Sequence, residues 1–186
     1  MPAGRGLTTG ALEATCPVCG TAMTAGEGTI PDEVAGLPVT LVGLTVYRCT
    51  RCGQVEPVVE EWMSLLCAIA GALIHKRIRL APEEIRFLRR ALALSKSDLA
   101  DGLDTTPQTV ARWEHGDEPI SPPADRRLRL MVVADATTGH SRLGGVIRGD
   151  LSLDRLMEID DAAPPARVPL RLARDARGWR LSWAAC

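Results

Sequence analysis

Two cysteine pairs of identical spacing constrain the fold of this 186-residue chain more than any other feature. Cys16 and Cys19 lie in CPVCG, Cys49 and Cys52 lie in CTRCG, and 29 residues separate the pairs. A Cys-x-x-Cys turn presents two thiolates to one ion, and two such turns complete the tetrahedron that structural zinc prefers. The glycine after each pair permits the positive φ of a tight turn. The sequence therefore predicts one structural Zn²⁺ per chain, with no open position for catalysis.

Disulfide bonds and a redox-active dithiol are the alternative uses of these cysteines. Structural disulfides are rare in a reducing cytoplasm, and a thioredoxin-like pair has to open a helix in a βαβ unit, which this pattern lacks. Zinc is therefore favoured. Residues 37–48, between the pairs, are rich in Val, Leu and Thr and predict a strand or hairpin. We expect a small sheet that depends on its metal, because so short a segment buries little apolar surface.

Composition and charge narrow the class of protein. Apolar residues make up 46% and charged residues 24% of the chain, which argues against disorder. The longest nearly apolar run, Trp62–Ile74, has 13 residues, fewer than the roughly 20 of a membrane span. The N-terminus lacks the apolar segment of a secretory signal, so we expect a cytoplasmic protein without membrane contact. Residues 1–75 carry 3 basic and 7 acidic side chains, and residues 76–131 carry 11 basic and 9 acidic ones. This difference favours a cationic partner for residues 1–75 and contact with phosphates for residues 76–131.

Four amphipathic helices are predicted in the middle of the chain. Ser95 and Asp98 form a capping pair that begins the second helix. Pro107 begins the third, which ends before Gly116. Apolar residues at helical spacing predict one helix before these two, and a Pro-rich loop leads to the fourth, over about residues 124–136.

The second and third helices form a helix-turn-helix pattern, whose protruding helix can lie in the major groove of DNA. Val110 and Trp113 fall on one side of the third helix and are expected to pack inward, and Glu114 is assigned to a structural ion pair. Gln reads adenine and Arg reads guanine in a bidentate manner, and Thr offers a hydroxyl and a methyl group. A helical bundle with an inert polar face is the alternative. The predicted base-reading residues are Gln108, Thr109 and Arg112, and the predicted phosphate contacts are Lys96 and Thr106.

The two motifs together resemble a known family. SKSDLA followed by TPQTVARWEHG resembles the helix-turn-helix of the Xre/Cro class. With CPVCG and YRCTRCG in front, about residues 14–135 resemble the MqsA/YgiT-type antitoxins. This resemblance implies a dimer that binds a toxin through its zinc domain and represses its own operon through the helix-turn-helix. It also implies that the four paired cysteines ligate the zinc and that Gln108 and Arg112 contact bases.

The turn before the third helix departs from that family. Relatives usually carry Leu-Leu-Gly-Val-Ser, where this chain has Gly102, Leu103, Asp104, Thr105 and Thr106. Aspartate tolerates the left-handed backbone conformation less well than glycine, and threonine buries less apolar surface than valine. We therefore expect a less stable turn with an intact base-reading face.

The resemblance does not cover the C-terminal residues. Gly-rich residues 139–149 predict a linker, and residues 152–159 suit a short helix. Residues 168–184 alternate apolar and polar side chains around a central turn, which predicts a β-hairpin with one apolar and one basic face. A lone hairpin is marginal, so its apolar face has to be covered, either by the same chain or by a dimer or toxin contact.

The sequence thus predicts an α+β protein, in which a small zinc-bound β domain precedes an all-α helix-turn-helix domain and a C-terminal extension. The favoured function is an antitoxin of a type II toxin–antitoxin system, acting as a homodimeric autorepressor on double-stranded operator DNA. The alternative is a stand-alone zinc-containing transcription regulator. An enzyme is least favoured, because the three histidines lie in separate segments without a catalytic motif. The predicted segments are a disordered 1–13, a zinc domain 14–60, a linking helix 61–79, a helix-turn-helix domain 80–137 and an extension 138–186.

Overall fold

A five-stranded sheet forms one layer of the computed structural model, which describes residues 14–137, 158–167, 169–175 and 178–181. Its first two strands join through Ala35 and Gly36, both at positive φ (53° and 88°), as a tight hairpin turn requires. The strands are β1 (Met23–Val34), β2 (Leu37–Cys49), β3 (Val55–Val58), β4 (Leu170–Asp175) and β5 (Gly178–Leu181).

The long strand β2 organises this sheet. One of its edges pairs antiparallel with β1 along its length, with a bulge between Gly28 and Thr29. Its other edge is shared, because β3 pairs antiparallel with the end of β2 and β4 runs parallel to its first half, with Val39 opposite Leu170. The predicted strand or hairpin at 37–48 is confirmed as β2, and the predicted C-terminal hairpin is confirmed as β4 and β5 within the described residues.

The described helices follow the predicted pattern closely. Ser95 caps its helix as expected: its hydroxyl accepts a hydrogen bond from the Asp98 N–H at 3.1 Å, and the Asp98 carboxylate accepts one from the Ser95 N–H at 2.8 Å. Gly116 ends the following helix in the left-handed conformation. The helices are α1 (Trp62–Ile74), α2 (Pro82–Ala91), α3 (Lys96–Gly102), α4 (Pro107–His115) and α5 (Pro122–Thr137). Nowhere in the described ranges is a helix both long and apolar enough to cross a bilayer.

One apolar core joins the sheet to the helices. Leu41 of β2, Ile69 of α1 and Leu88 of α2 are each at most 1% exposed and belong to the same cluster. Helix α1 packs against β4 and β5 and also contacts α2 and α5. The sheet is therefore not the thin one that was expected, because β4 and β5 extend it and the buried side chains of β2 and β4 share a core with α1. Its dependence on a metal stays a prediction. The domain boundaries at residues 60, 79 and 137 stay predictions.

The C-terminal hairpin is anchored to the start of α1. The Trp179 side chain is 1% exposed, and its indole N–H donates to the Glu60 carbonyl at 2.9 Å. The Trp179 backbone N–H donates to Ser64 Oγ at 3.1 Å. At Gly178, φ is 110° and a Cβ would lie 2.4 Å from Ser64 Oγ, so this close approach requires glycine. Of the two alternatives for the hairpin's apolar face, the structure shows packing within the same chain.

A buried polar cluster ties α5 to the end of α1. Arg129 is 1% exposed and pairs with Asp125, with Nε 2.8 Å from Oδ1. Its guanidinium also donates to the carbonyls of Ile74 and Ile78, at 3.2 and 2.9 Å. The bond to Ile74 satisfies one of the carbonyls that the end of α1 leaves without a helical partner. The predictions for residues 1–13 and 139–149 lie outside the described residues, as does the helix predicted at 152–159 except for its last two residues, which are not helical.

Candidate metal centre and nucleic-acid interface

The pairing of β1 with β2 brings the two cysteine pairs together. Met23, the first residue of β1, lies opposite Cys49, the last residue of β2. The chain that precedes Met23 therefore runs beside the chain that follows Cys49. This register places the Cys16–Cys19 turn against the Cys49–Cys52 turn at one end of the sheet.

Both turns have the same backbone hydrogen bonds. In each, the amide of the first cysteine donates to the carbonyl five residues later, from Cys16 to Thr21 at 2.9 Å and from Cys49 to Gln54 at 2.8 Å. The glycine amide after each pair donates back to the carbonyl of the first cysteine. These glycines have φ of 69° and 76°, as the sequence predicts. Two turns of the same geometry thus present their thiols to a common point.

The four sulfurs lie within 4.8 Å of one another. The closest pairs are Cys19 Sγ and Cys49 Sγ at 3.4 Å and Cys16 Sγ and Cys52 Sγ at 3.5 Å, too far apart for a disulfide. A zinc–sulfur bond of about 2.3 Å implies sulfur–sulfur distances of roughly 3.8 Å in a tetrahedron. The predicted ligands Cys16, Cys19, Cys49 and Cys52 therefore form a cluster whose size and donor atoms fit a structural Zn²⁺.

The cysteines also perturb one another's ionisation. Hydrogen bonds with the side chain and backbone of Thr21 lower the pKa of Cys19 to about 6. The Gln54 backbone lowers the pKa of Cys52, but the neighbouring Cys16 thiol, burial and the other cysteines together raise it to about 12. Thiolates this close repel one another, and a divalent cation among them relieves that repulsion.

The cysteine cluster has a small apolar core of its own. Cys16, Met23 and Cys49 are buried together, with Tyr47 partly buried against them. None of these residues belongs to the main core that joins the sheet to the helices. The metal site would therefore stabilise this end of the sheet and not the whole sheet.

Helix α4 is held by buried side chains on one face. Val110 and Trp113 are 0% and 5% exposed, which confirms their predicted inward positions. Thr106 caps the helix, because its hydroxyl accepts a hydrogen bond from the Thr109 N–H at 3.2 Å. α3 and α4 pack against each other across a short turn, so α4 has an anchored inner face and a free outer one.

Glu114 provides a second anchor for α4. Its carboxylate is 2% exposed and accepts hydrogen bonds from Arg89 Nε at 2.6 Å and Arg89 Nη2 at 3.2 Å. Lys96 Nζ lies 3.9 Å from the same carboxylate. The assignment of Glu114 to a structural ion pair is confirmed. Sequence reasoning did not name Arg89, because nothing in the spacing shows which cation on α2 faces α4.

The turn between α3 and α4 contains a non-glycine residue at positive φ. Asp104 adopts the left-handed conformation, with φ of 51°, at the position where the antitoxins that the sequence resembles carry glycine. Its carboxylate is paired with Arg127 of α5. Leu103 is buried and Thr105 is half-buried beside it. This conformation costs most non-glycine residues about 1–2 kcal/mol, and aspartate is one of the few that adopt it. The expected weaker turn stays a prediction.

The predicted base-reading residues share the outer face of α4. Gln108 is exposed, and Arg112 is 59% exposed. Thr109 is half-buried and its hydroxyl lies 2.9 Å from that of Thr106, so both hydroxyls already have a partner. Of the predicted phosphate contacts, Thr106 caps α4 and Lys96 remains 41% exposed at the start of α3. These five DNA contacts stay predictions.

Part of this chain is similar to a known protein family. Residues 85–131 match the helix-turn-helix family. The matched region extends from α2 through α4 into α5 and includes all the residues predicted to contact DNA. No curated protein matches the chain. The match supports a DNA-binding transcription regulator, and the four-cysteine cluster adds a candidate zinc site to it.

Proposed function

We propose that this chain is a sequence-specific DNA-binding repressor that reads its operator through the outer face of α4. The observation that carries the proposal is that this helix has one buried and one exposed face, inside the region that matches the helix-turn-helix family. Val110, Trp113 and Glu114 are buried, whereas Gln108 and Arg112 are exposed one turn apart. Such a helix presents an amide and a guanidinium, the two groups best suited to adenine and guanine, to a major groove. The proposal includes no catalytic activity.

The finer proposal is an antitoxin that acts as a homodimer and represses its own operon. Its support is the order of the two motifs, a cysteine cluster followed by a helix-turn-helix, which resembles the MqsA/YgiT-type antitoxins. Residues 14–47 add a charge argument, because they contain acidic residues but no Lys or Arg. The acidic side chains Glu27, Asp32 and Glu33 are all exposed on β1. This surface suits a cationic toxin.

A stand-alone zinc-containing regulator is the alternative, and it uses the same residues on DNA. A growth experiment distinguishes the antitoxin from the stand-alone regulator. The open reading frame next to this gene is expressed alone and then together with the chain. We expect growth arrest that co-expression relieves. Normal growth in both cultures would leave the repressor proposal and remove the antitoxin role.

Replacing Arg112 by alanine tests the DNA proposal. A bidentate arginine–guanine contact is worth about 1–3 kcal/mol, so affinity for the operator should fall by about 5- to 150-fold and preference at one base pair should relax. Binding to random DNA should change little. The measurement is a titration of both duplexes by fluorescence anisotropy.

Arg171→Ala is the matched control for charge, because Arg171 is exposed on β4 of the sheet. It should leave both affinities unchanged. Equal losses on operator and random DNA in Arg112→Ala would instead make Arg112 a phosphate contact.

A further inference from the structure

The loop after α4 is fixed to the carbonyl of Arg112. The amides of Gly116 and Asp117 both donate to this carbonyl, at 2.9 and 3.0 Å, and Gly116 has the left-handed φ of 85°. A few residues further on, Ile120 is fully buried. The loop is therefore tied at both ends, and residue 118 lies between two fixed points.

This loop brings an acidic side chain to the base-reading arginine. Glu118 Oε2 lies 3.6 Å from Arg112 Nη1, and the two side chains are 47% and 59% exposed. An arginine has a second edge, formed by Nε and Nη2, that also carries parallel N–H groups. With Glu118 beside Nη1, that second edge is free to donate to O6 and N7 of a guanine.

We propose that Glu118 is a specificity-determining residue of the operator interface. It positions Arg112 and neutralises the charge of this arginine until Arg112 contacts a guanine. The inference rests on the proposed function. Two physical effects support it. The pair reduces the freedom that Arg112 loses on binding a base, and an arginine already paired with a carboxylate has less to gain from a phosphate. Glu118 thus opposes sequence-independent binding.

The ion pair between Glu118 and Arg112 is expected to contribute little to the stability of the fold. Ion pairs between exposed side chains contribute at most about 1 kcal/mol to stability, so Glu118→Gln should fold as the unmodified chain does. Asp117→Asn supplies a matched control. It removes one negative charge from an exposed side chain of the same loop, one residue before Glu118.

The experiment uses the full-length chain and a duplex that it selects from a random DNA library. Affinities for the selected duplex and for a scrambled duplex are measured over a range of salt concentrations. In Glu118→Gln the ratio of the two affinities should fall about three- to tenfold, the range expected for ordering one long side chain. Binding to the scrambled duplex should become steeper in salt by about one ion, because a freed Arg112 can meet a phosphate. In Asp117→Asn the ratio should not change.

A second background tests whether Glu118 acts through Arg112. In Arg112→Ala, the further change Glu118→Gln should leave the affinity ratio and the salt slope unaltered, because no guanidinium remains to be positioned. An equal effect in both backgrounds, or equal ratios for Glu118→Gln and Asp117→Asn, would overturn the inference while leaving the DNA-binding proposal intact. A chain that selects no sequence at all would overturn both.

Discussion

Replacing Cys49 by serine should abolish the metal site and unfold the cysteine end of the sheet, while α4 still binds DNA. Cys49 is 4% exposed and its sulfur lies 3.4 Å from that of Cys19. Structural zinc contributes on the order of 10–16 kcal/mol to the folding of zinc-finger peptides, so losing one of four thiolates should remove most of that stabilisation. The unfolding should stay local, because the cluster around Cys16, Met23 and Cys49 is separate from the main core.

Two measurements check this result. Elemental analysis of the purified chain should give one zinc per chain and close to none in Cys49→Ser. Hydrogen exchange should become fast in residues 14–23 and 47–55 and stay slow in α1 and α2. Cys67→Ser is the control, because Cys67 lies in α1 outside the cluster, and it should keep its zinc. Full zinc content in Cys49→Ser would contradict the four-thiolate site, and fast exchange throughout the helices would contradict a local role for the metal.

Helices were the part of this fold that sequence reasoning could predict. The helix at Pro107–His115 has the predicted ends, and the helix at Trp62–Ile74 is shorter than the predicted linking helix 61–79. Their signals are local, since apolar spacing, caps and the helix-ending glycine all lie within a few residues of the helix they define. The fourth helix begins at Pro122, slightly earlier than predicted, because prolines are tolerated in the first turn.

Strand pairing was harder to predict, for two reasons. β1 has no apolar alternation, because only its first and last residues, Met23 and Val34, are buried. Its strand character comes from pairing with β2 along its whole length. The parallel contact between β2 and β4 joins residues about 130 positions apart, as in Val39 opposite Leu170. Alternation of apolar and polar residues predicts a strand but does not indicate which strand pairs with it.

In the candidate site, too, features with a local sequence signal were predictable from the sequence and contacts without such a signal were not. Cysteine spacing was enough to predict all the clustered thiols, because each pair is a local turn and zinc chemistry requires both turns. The exposure of Gln108 and Arg112 followed from helical periodicity. Glu118 had no such signal, since its position beside Arg112 depends on the left-handed Gly116 and on the burial of Ile120. A turn of this kind has no periodicity from which a contact can be inferred.

Replacing Trp179 by alanine should destabilise the protein by about 3–5 kcal/mol, the usual cost of removing a buried tryptophan. Trp179 is 1% exposed in the core shared by the sheet and the helices. The change also leaves the Glu60 carbonyl without the indole donor that lies 2.9 Å away. Because β5 pairs with β4, which in turn pairs with β2, weakening β5 should loosen the parallel pairing of β2 with β4 as well.

Urea unfolding followed by circular dichroism measures this loss of stability. The change from tryptophan should shift the midpoint without altering the slope, because the same surface is exposed on unfolding. Arg171→Ala, on the exposed face of β4, should shift the free energy of unfolding by no more than about 0.5 kcal/mol. A loss below about 1 kcal/mol in Trp179→Ala would mean that the hairpin does not pack on α1 in solution. The sheet would then present an apolar face to a partner, and the dimer or toxin contact would replace packing within the chain.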